Sequence, residues 1–293
     1  MKIRLLGTGT PKPSLRRMGS CSAIQIGGDV ILVDLGPGAY HRMLEATIEP
    51  TQVTHLFFTH LHYDHCVDYP RLLLTHWDHG AGNVPELRIY GPAPLKKMTD
   101  LLISRDGAFR ADLTARTEHP SSLDTYTSRG GILPRRWPTP EVTELRSGSV
   151  VEGKTWRMTA TGVPHFQPQL ISYAYRLDSD EGSVAISGDT APSPAMATLA
   201  KDCDVLIHMC HFISNTGPAS FITAGSGHLE AAKVAADANA KSLVLSHISR
   251  QMDNPGIPER IVREVSAIYS GNIFWGQDLM EIPIGSPSLA KLD

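Results

Sequence analysis

A short run of histidines and an aspartate, placed directly after an apolar segment, constrains this sequence most. Residues 53–59 (VTHLFFT) have the pattern of a buried strand and lead straight into an H-x-H-x-D-H motif. Side chains two residues apart on an extended chain point to the same side, so His60 and His62 face one way. If the chain then turns, Asp64 and His65 approach the same space from the other flank. Imidazole and carboxylate bind Zn²⁺, Mn²⁺ or Fe²⁺, so this segment predicts ligands for two neighbouring metal ions.

The composition is that of a globular chain, and it excludes several functions. The 293 residues are 41% hydrophobic and carry a net charge of −3, so no overall positive field gathers nucleic acid. We find no signal-peptide pattern and no run of about 18 apolar residues, and therefore expect no membrane span. The four cysteines show no CxxC spacing. We expect them to be reduced thiols in a cytoplasmic protein.

The order of apolar segments favours an α/β fold with two sheets, each covered by helices, in a single domain spanning 1–293. Helices are predicted at 38–47, 228–240 and 258–269, and in the second of these segments apolar residues recur at helical spacing. Short strands are predicted at 2–6, 22–26, 29–34, 53–59, 87–90, 155–161, 171–177, 183–187, 205–208, 242–246, 272–275 and 280–284.

One stretch, 104–144, does not fit this alternation of strands and helices. It is rich in Pro, Arg, Ser and Thr, contains six arginines and shows little periodicity. A segment of this length without regular structure is uncommon in a compact domain unless it has a function. We predict an insertion that forms a lid, a substrate cap or a dimerisation arm, with a plain surface excursion as the alternative.

The motif after the buried strand resembles the signature of the metallo-β-lactamase superfamily, and its surroundings are similar to the ribonuclease Z branch. Matching segments occur in the expected order along nearly the whole chain. They are 5–10 (LLGTGT), 32–36 (LVDLG), 162–165 (GVPH), 187–190 (SGDT), 227–228 (GH) and 245–249 (LSHIS). This resemblance implies the αββα sandwich of that superfamily, with two mixed sheets flanked by helices.

The resemblance also implies a dinuclear metal centre and assigns its ligands. His60, His62 and His165 would hold the first metal, Asp64, His65 and His247 the second, and Asp189 would bridge them. Zinc is favoured, with manganese or iron as alternatives. Cys66 is interpreted as a neighbour of the ligands.

Three further residues acquire roles from the same resemblance. Asp34 is expected to form hydrogen bonds that support the loop of residues 60–65, which we call the ligand loop. Asp64 and His228 are the predicted catalytic residues, and His228 would stabilise or protonate the transition state. The alternative for His228 is a helix-capping residue without a catalytic role.

The sequence departs from the branch in ways that bear on the substrate. Asp189 follows His165 by only 24 positions, too few for the long arm with which many ribonuclease Z proteins grip tRNA. Met209 stands where the branch has an acidic residue, which weakens a proton relay to His228. His208 and His211 either line the pocket or pack at a strand end. We therefore expect tRNA not to be the main substrate.

These observations predict a dinuclear metal-dependent hydrolase that cleaves an ester-type bond through a hydroxide bridging the metals. A phosphodiester of small or moderate size is the favoured substrate, and the arginines of 104–144 could bind its charges. The alternative is a small carboxylic ester, lactone, amide or carbamate. A non-catalytic binding protein is disfavoured because every ligand position is filled. A homodimer is expected, since two-fold dimers are the commonest soluble oligomers.

Overall fold

The computed structural model describes residues 1–284, which form two mixed β-sheets of seven strands each, with helices outside them. The strands are β1 (Lys2–Gly7), β2 (Cys21–Ile26), β3 (Asp29–Val33), β4 (His55–Phe57), β5 (Arg88–Gly91), β6 (Glu141–Glu144), β7 (Val150–Glu152), β8 (Trp156–Gly162), β9 (Tyr173–Ser179), β10 (Gly182–Ile186), β11 (Val205–Met209), β12 (Ser242–Ser246), β13 (Asn272–Trp275) and β14 (Glu281–Ile282).

The α-helices of these residues are short, and three 3₁₀ turns accompany them at Pro50–Gln52, Ala219–Thr223 and Arg250–Asp253. The helices are α1 (Ala39–Glu45), α2 (Tyr63–Cys66), α3 (Tyr69–Gly80), α4 (Leu95–Ile103), α5 (Arg110–Glu118), α6 (Pro120–Ser128), α7 (Pro194–Leu199), α8 (His228–Asp237) and α9 (Ile257–Ser266). None of the helices within residues 1–284 has the length and apolar character that crossing a membrane requires.

Three buried apolar layers hold the sheets and helices together. The layer between the two sheets contains Phe57 and Tyr175, while a second layer places Met43 of α1 and Leu72 of α3 against the first sheet. The third layer uses small residues such as Ala235 of α8, which let that helix approach the second sheet closely. Helix, sheet, sheet and helix therefore follow one another, and the predicted αββα sandwich is confirmed.

The strand order brings the predicted ligands to one edge of the sandwich. The first sheet runs β14-β1-β2-β3-β4-β5-β6 and the second runs β13-β12-β11-β10-β9-β8-β7. β3 to β6 are parallel to one another, as are β10 to β13. Their carboxyl ends therefore lie at one edge of each sheet, where ligands gather in α/β folds.

The 104–144 segment is more regular than its sequence indicates. It contains α5, α6 and the edge strand β6, although its sequence shows little periodicity. Only one buried side chain on each of the two helices, Leu113 and Tyr126, faces the core. Such a weak apolar stripe produces no visible helical periodicity in the sequence.

Candidate metal centre

The ligand loop begins where β4 ends and turns within a few residues. The chain stays extended at His62 and then forms the single helical turn α2, which contains Asp64 and His65. This change from extended chain to helix turns the second pair of side chains back towards the first pair. The local geometry expected from the H-x-H-x-D-H spacing is therefore present.

The first group of donor atoms combines this loop with the ends of β8 and β10. Nδ1 of His62 lies 3.0 Å from Nε2 of His60 and 3.2 Å from Nε2 of His165. Oδ2 of Asp189 lies 3.7 Å from Nε2 of His165. One donor atom from each of these four residues lies within 4.8 Å of the others, which suits a single metal ion.

The second group adjoins the first and shares its aspartate. Oδ2 of Asp64 lies 3.2 Å from Nε2 of His247 and 3.6 Å from Nε2 of His65. Asp189 approaches the same two histidines, with Oδ1 3.5 Å from His65 Nε2 and Oδ2 3.4 Å from His247 Nε2. Asp189 thus stands between both groups, where the resemblance places a bridging ligand.

Two buried atoms within these groups support metal binding independently of the resemblance. Nε2 of His65 and Oδ1 of Asp189 are buried and have no hydrogen-bond partner among the described residues. Leaving a buried polar atom without a partner costs about 1–3 kcal/mol, and a coordinated cation removes that cost. The residues therefore fit a divalent metal pair.

The protonation states of three ligand histidines and of Asp189 also suit metal binding. Burial lowers the pKa of His60 well below its ordinary value, and burial lowers the pKa of His62 and His165 in the same direction. These imidazoles are neutral, as ligation requires. Burial alone would raise the pKa of Asp189, but His247 and His65 lower it well below the usual range, so this carboxylate is ionised.

Hydrogen bonds fix the orientation of four of the ligand histidines. His65 donates from Nδ1 to Oδ2 of Asp34 at 2.8 Å, and His165 donates from Nδ1 to the carbonyl oxygen of Ala224. His60 has its Nδ1 3.0 Å from the Thr59 hydroxyl, which itself donates to Asp34. In each case Nδ1 is occupied and Nε2 faces the other ligands, as is typical of metal-binding histidines.

His211 is the hydrogen-bond partner of the fourth ligand histidine, His247. Its Nδ1 lies 3.2 Å from Nδ1 of His247, and burial followed by the nearby His247 lowers the pKa of His211 to about 4. A neutral His211 accepts the Nδ1–H of His247. His208 is completely buried, donates from Nδ1 to the Met209 carbonyl and lines a cavity of about 20 Å³ beside Asp189.

His228 has different contacts from those expected of a catalytic acid. It begins α8 and is fully buried, and its Nδ1 accepts a hydrogen bond from the Ser214 backbone at 3.1 Å. Its Nε2–H donates to the carboxylate of Glu264 on α9 at 2.7 Å. Both ring nitrogens are occupied, so His228 has none free for a substrate. Sequence reasoning missed Glu264, because nothing in the pattern of α9 distinguishes it from a surface residue.

Three of the six arginines of 104–144 form ion pairs within the protein. Arg116, Arg129 and Arg135 all pair with Asp78, at 3.0, 3.2 and 2.5 Å, near the end of α3. α3 starts just after the ligand loop and is 12 residues, about 18 Å, long. The cluster therefore lies at the C-terminal end of that helix.

Comparison with known proteins identifies the family. Residues 15–228 match the family described as the metallo-beta-lactamase superfamily. The chain belongs to this superfamily. A ribonuclease Z of Mycolicibacterium gilvum is 31% identical over 209 residues, which cover 71% of this chain and 68% of the relative. The predicted resemblance is confirmed, and the protein is a metal-dependent hydrolase with ribonuclease Z-like relatives.

Solved structures share the fold over almost the whole length. The metallo-beta-lactamase fold protein YhfI of Bacillus subtilis superposes with a TM-score of 0.73 at 18% identity, covering 96% of this chain and 98% of that one. The short form of human tRNase Z gives a TM-score of 0.68 at 21% identity, covering 98% and 100%. The names of these relatives do not support our expectation that tRNA is not the main substrate.

Proposed function

We propose that this metal-dependent hydrolase is a dinuclear phosphodiesterase whose two metal ions are held by the adjoining donor groups. The observation that carries the proposal is Asp189, because its two oxygens approach ligands of both groups. His60, His62 and His165 would complete the first site, and Asp64, His65 and His247 the second. Zinc suits these donors best, with manganese or iron as alternatives.

When bound, such a metal pair lowers the pKa of a water molecule towards neutrality and offsets negative charge that develops on a phosphoryl group. The protein's own groups prepare the site for this chemistry. The Nδ1 partners of four of the ligand histidines, His60, His65, His165 and His247, hold their Nε2 atoms in place before substrate arrives. The Asp64 carboxylate is buried with Oδ2 3.2 Å from Nε2 of His247, where it would accept a hydrogen bond from the attacking water and orient it.

The same contacts lead us to revise the role of His228. With Nδ1 bonded to Ser214 and Nε2 bonded to Glu264, this side chain joins α8 to α9 and to the chain that follows β11. We therefore assign it a structural role in positioning α8. No proton transfer in the proposed mechanism depends on it.

The relatives named ribonuclease Z favour a phosphodiester as the substrate, and the donor groups by themselves suit other esters as well. The connection between β9 and β10 is only residues 180–181, so that hairpin is compact. A short RNA, a nucleotide diester or a small synthetic diester satisfies the proposal. A carbonyl ester is the competing substrate class.

Hydrolysis of bis(p-nitrophenyl) phosphate by zinc- or manganese-loaded protein tests the proposal. We expect turnover in the wild type and a fall to the rate of metal-free protein in Asp189→Asn, which preserves side-chain shape but removes the shared charge. Asp204→Asn is the matched control. The Asp204 carboxylate contacts Ser183 near the start of β10, whereas Asp189 follows the other end of that strand.

The outcomes separate the alternatives. Undiminished turnover in Asp189→Asn, with folding and metal content measured, would refute the mechanism. Protein that holds about two metals, cleaves an aryl carboxylic ester and leaves the diester intact would show that the substrate is a carbonyl compound. Protein that retains no metal after loading would refute the dinuclear site itself.

A further inference from the structure

Phe166 is a half-exposed aromatic ring that lies directly on the first donor group. It follows the ligand His165 in the chain and is 51% exposed. Its ring centroid lies 4.6 Å from that of His165 and 5.4 Å from that of His62, with interplanar angles of 78° and 68°. Part of the ring packs on two ligands while the rest is open to solvent, so Phe166 borders the entrance to the donor groups.

The loop around Phe166 is held in one conformation by its own hydrogen bonds. The backbone N–H of His165 donates to Oε1 of Gln167 at 2.6 Å, and Nε2 of Gln167 donates to the Val163 carbonyl at 2.9 Å. The N–H of Leu170 donates to the Phe166 carbonyl at 3.1 Å. A solvent-exposed apolar ring on a loop whose backbone is fixed by hydrogen bonds is typical of a preformed contact surface for a ligand.

An exposed apolar pair also lies in the loop that leads to another contact of the same ligand. Phe221 and Ile222 are 46% and 45% exposed, and the Phe221 ring lies 5.7 Å from the buried ring of Phe212. Their 3₁₀ turn runs directly into Ala224, whose carbonyl accepts the Nδ1–H of His165. Two loops with exposed apolar side chains therefore both contact one ligand.

The charges around the donor groups point to the same kind of ligand. Within residues 1–284, the ion pairs that involve the metal-binding residues join histidines to aspartates, and none of them includes a lysine or arginine. The donor groups therefore have an aromatic face, the Phe166 ring, beside them.

We propose that Phe166 is a specificity-determining residue, which stacks on a flat apolar group adjacent to the scissile bond and so favours a diester whose retained group is aromatic over one whose retained group is aliphatic. The proposal rests on the phosphodiesterase function argued above and adds the residue that selects among diesters. Stacking of a base on an aromatic side chain typically changes binding by about 5- to 100-fold on alanine substitution. An aliphatic group of the same charge gains little from such a ring.

Two diesters with the same leaving group isolate this contact. Phenyl p-nitrophenyl phosphate and methyl p-nitrophenyl phosphate release the same phenolate and differ in the retained group. We expect wild-type kcat/KM to favour the phenyl diester by about 10-fold, within the range of aromatic stacking. Phe166→Ala should abolish this preference, chiefly through KM, whereas Phe166→Tyr, which retains the ring, should preserve it. Ile132→Ala, at an apolar side chain that is 82% exposed in the 104–144 insertion, should change neither rate.

Binding of phenylphosphonate and methylphosphonate, measured calorimetrically on the metal-loaded protein, gives a readout that does not require turnover. A phenyl preference that disappears in Phe166→Ala supports the stacking contact even if neither diester is cleaved, in which case only the phosphodiesterase proposal fails. Cleavage of both diesters without preference overturns the stacking proposal and leaves the phosphodiesterase standing. An equal loss for both compounds in Phe166→Ala also overturns it, because Phe166 would then only support His62 and His165.

Discussion

Asp34 offers the sharpest test of how the protein holds its metal ligands. Its buried carboxylate accepts from the Thr59 backbone N–H at 2.8 Å, from the Thr59 hydroxyl and from His65 Nδ1–H at 2.8 Å. The substitution Asp34→Asn preserves size, and asparagine tolerates the left-handed backbone at this position, where φ is 62°. The amide oxygen can still accept from Thr59, but the amide NH₂ group then faces the Nδ1–H of His65.

The expected loss of metal affinity follows from this one pair of facing donors, the amide introduced by Asp34→Asn and the His65 Nδ1–H. Removing a hydrogen-bond partner of a metal-binding histidine typically lowers metal affinity by about 10- to 100-fold, or about 1.4–2.7 kcal/mol. Because His65 belongs to the second donor group, we expect that site to weaken while the site with His60 and His62 keeps its metal. Competition titration with a chromophoric chelator would resolve the two dissociation constants.

The control for this experiment is Asp204→Asn. Asp204 also accepts from a backbone N–H and a hydroxyl, both of Ser183 at 2.8 and 3.0 Å, and from a basic group, Lys241 at 2.7 Å. It precedes β11 and lies beside the start of β10, whereas Asp189 follows the end of β10. We expect the control to lose some stability and to retain both affinities. Wild-type affinity at both sites in Asp34→Asn would refute the argument, as would equal weakening in the control.

Further predictions concern stability, pH, metal removal and the outer partner of His247. Asp78→Asn should lower the free energy of unfolding by about 2 kcal/mol and the Tm by about 3 °C, since Arg135 loses its carboxylate; a calorimetric shift below about 1 °C would contradict this. Burial opposes ionisation of Asp78, but Arg135 and neighbouring arginines lower its pKa. The wild type should therefore have the higher free energy of unfolding above about pH 4, the ordinary carboxyl pKa, and this difference from Asp78→Asn should disappear as the pH falls through the lower pKa of the folded state. A difference in free energy of unfolding that stays constant during acid denaturation would contradict this prediction. EDTA should lower the wild-type Tm by removing metal, with a much smaller effect on Asp189→Asn, and equal Tm shifts would argue against metal at the shared aspartate. His211→Ala should weaken metal binding about 10-fold, as measured by the same chelator titration, and unchanged affinity would show that His247 needs no partner.

Local sequence was sufficient to predict the central part of the metal centre. In H-x-H-x-D-H, the ligands are separated by one or two residues, so backbone geometry alone limits where their side chains can point. The structure accordingly places His60, His62, Asp64 and His65 around one space. The two-sheet fold could likewise be predicted from the sequence, because its strands are continuous apolar segments and its main helices have clear periodicity.

Distant residues of the site could be assigned only through the family resemblance. His165, Asp189 and His247 lie far apart in sequence, and nothing in the immediate surroundings of any one of them indicates a metal. Parallel strands with carboxyl ends at a common edge bring these residues together. That convergence is a property of strand order, which short segments do not encode.

The contacts of single side chains were decided by tertiary packing alone. The sequence allowed His228 to be catalytic, but α9 packs so that Glu264, 36 residues away in the chain, accepts a hydrogen bond from its Nε2. The arginines of 104–144 were candidates for substrate binding, but the fold places three of them around Asp78. Residue type and spacing determine which chemistry a side chain can perform. Which partner it meets depends on how helices and sheets pack, because that packing selects one neighbour from many of suitable chemistry.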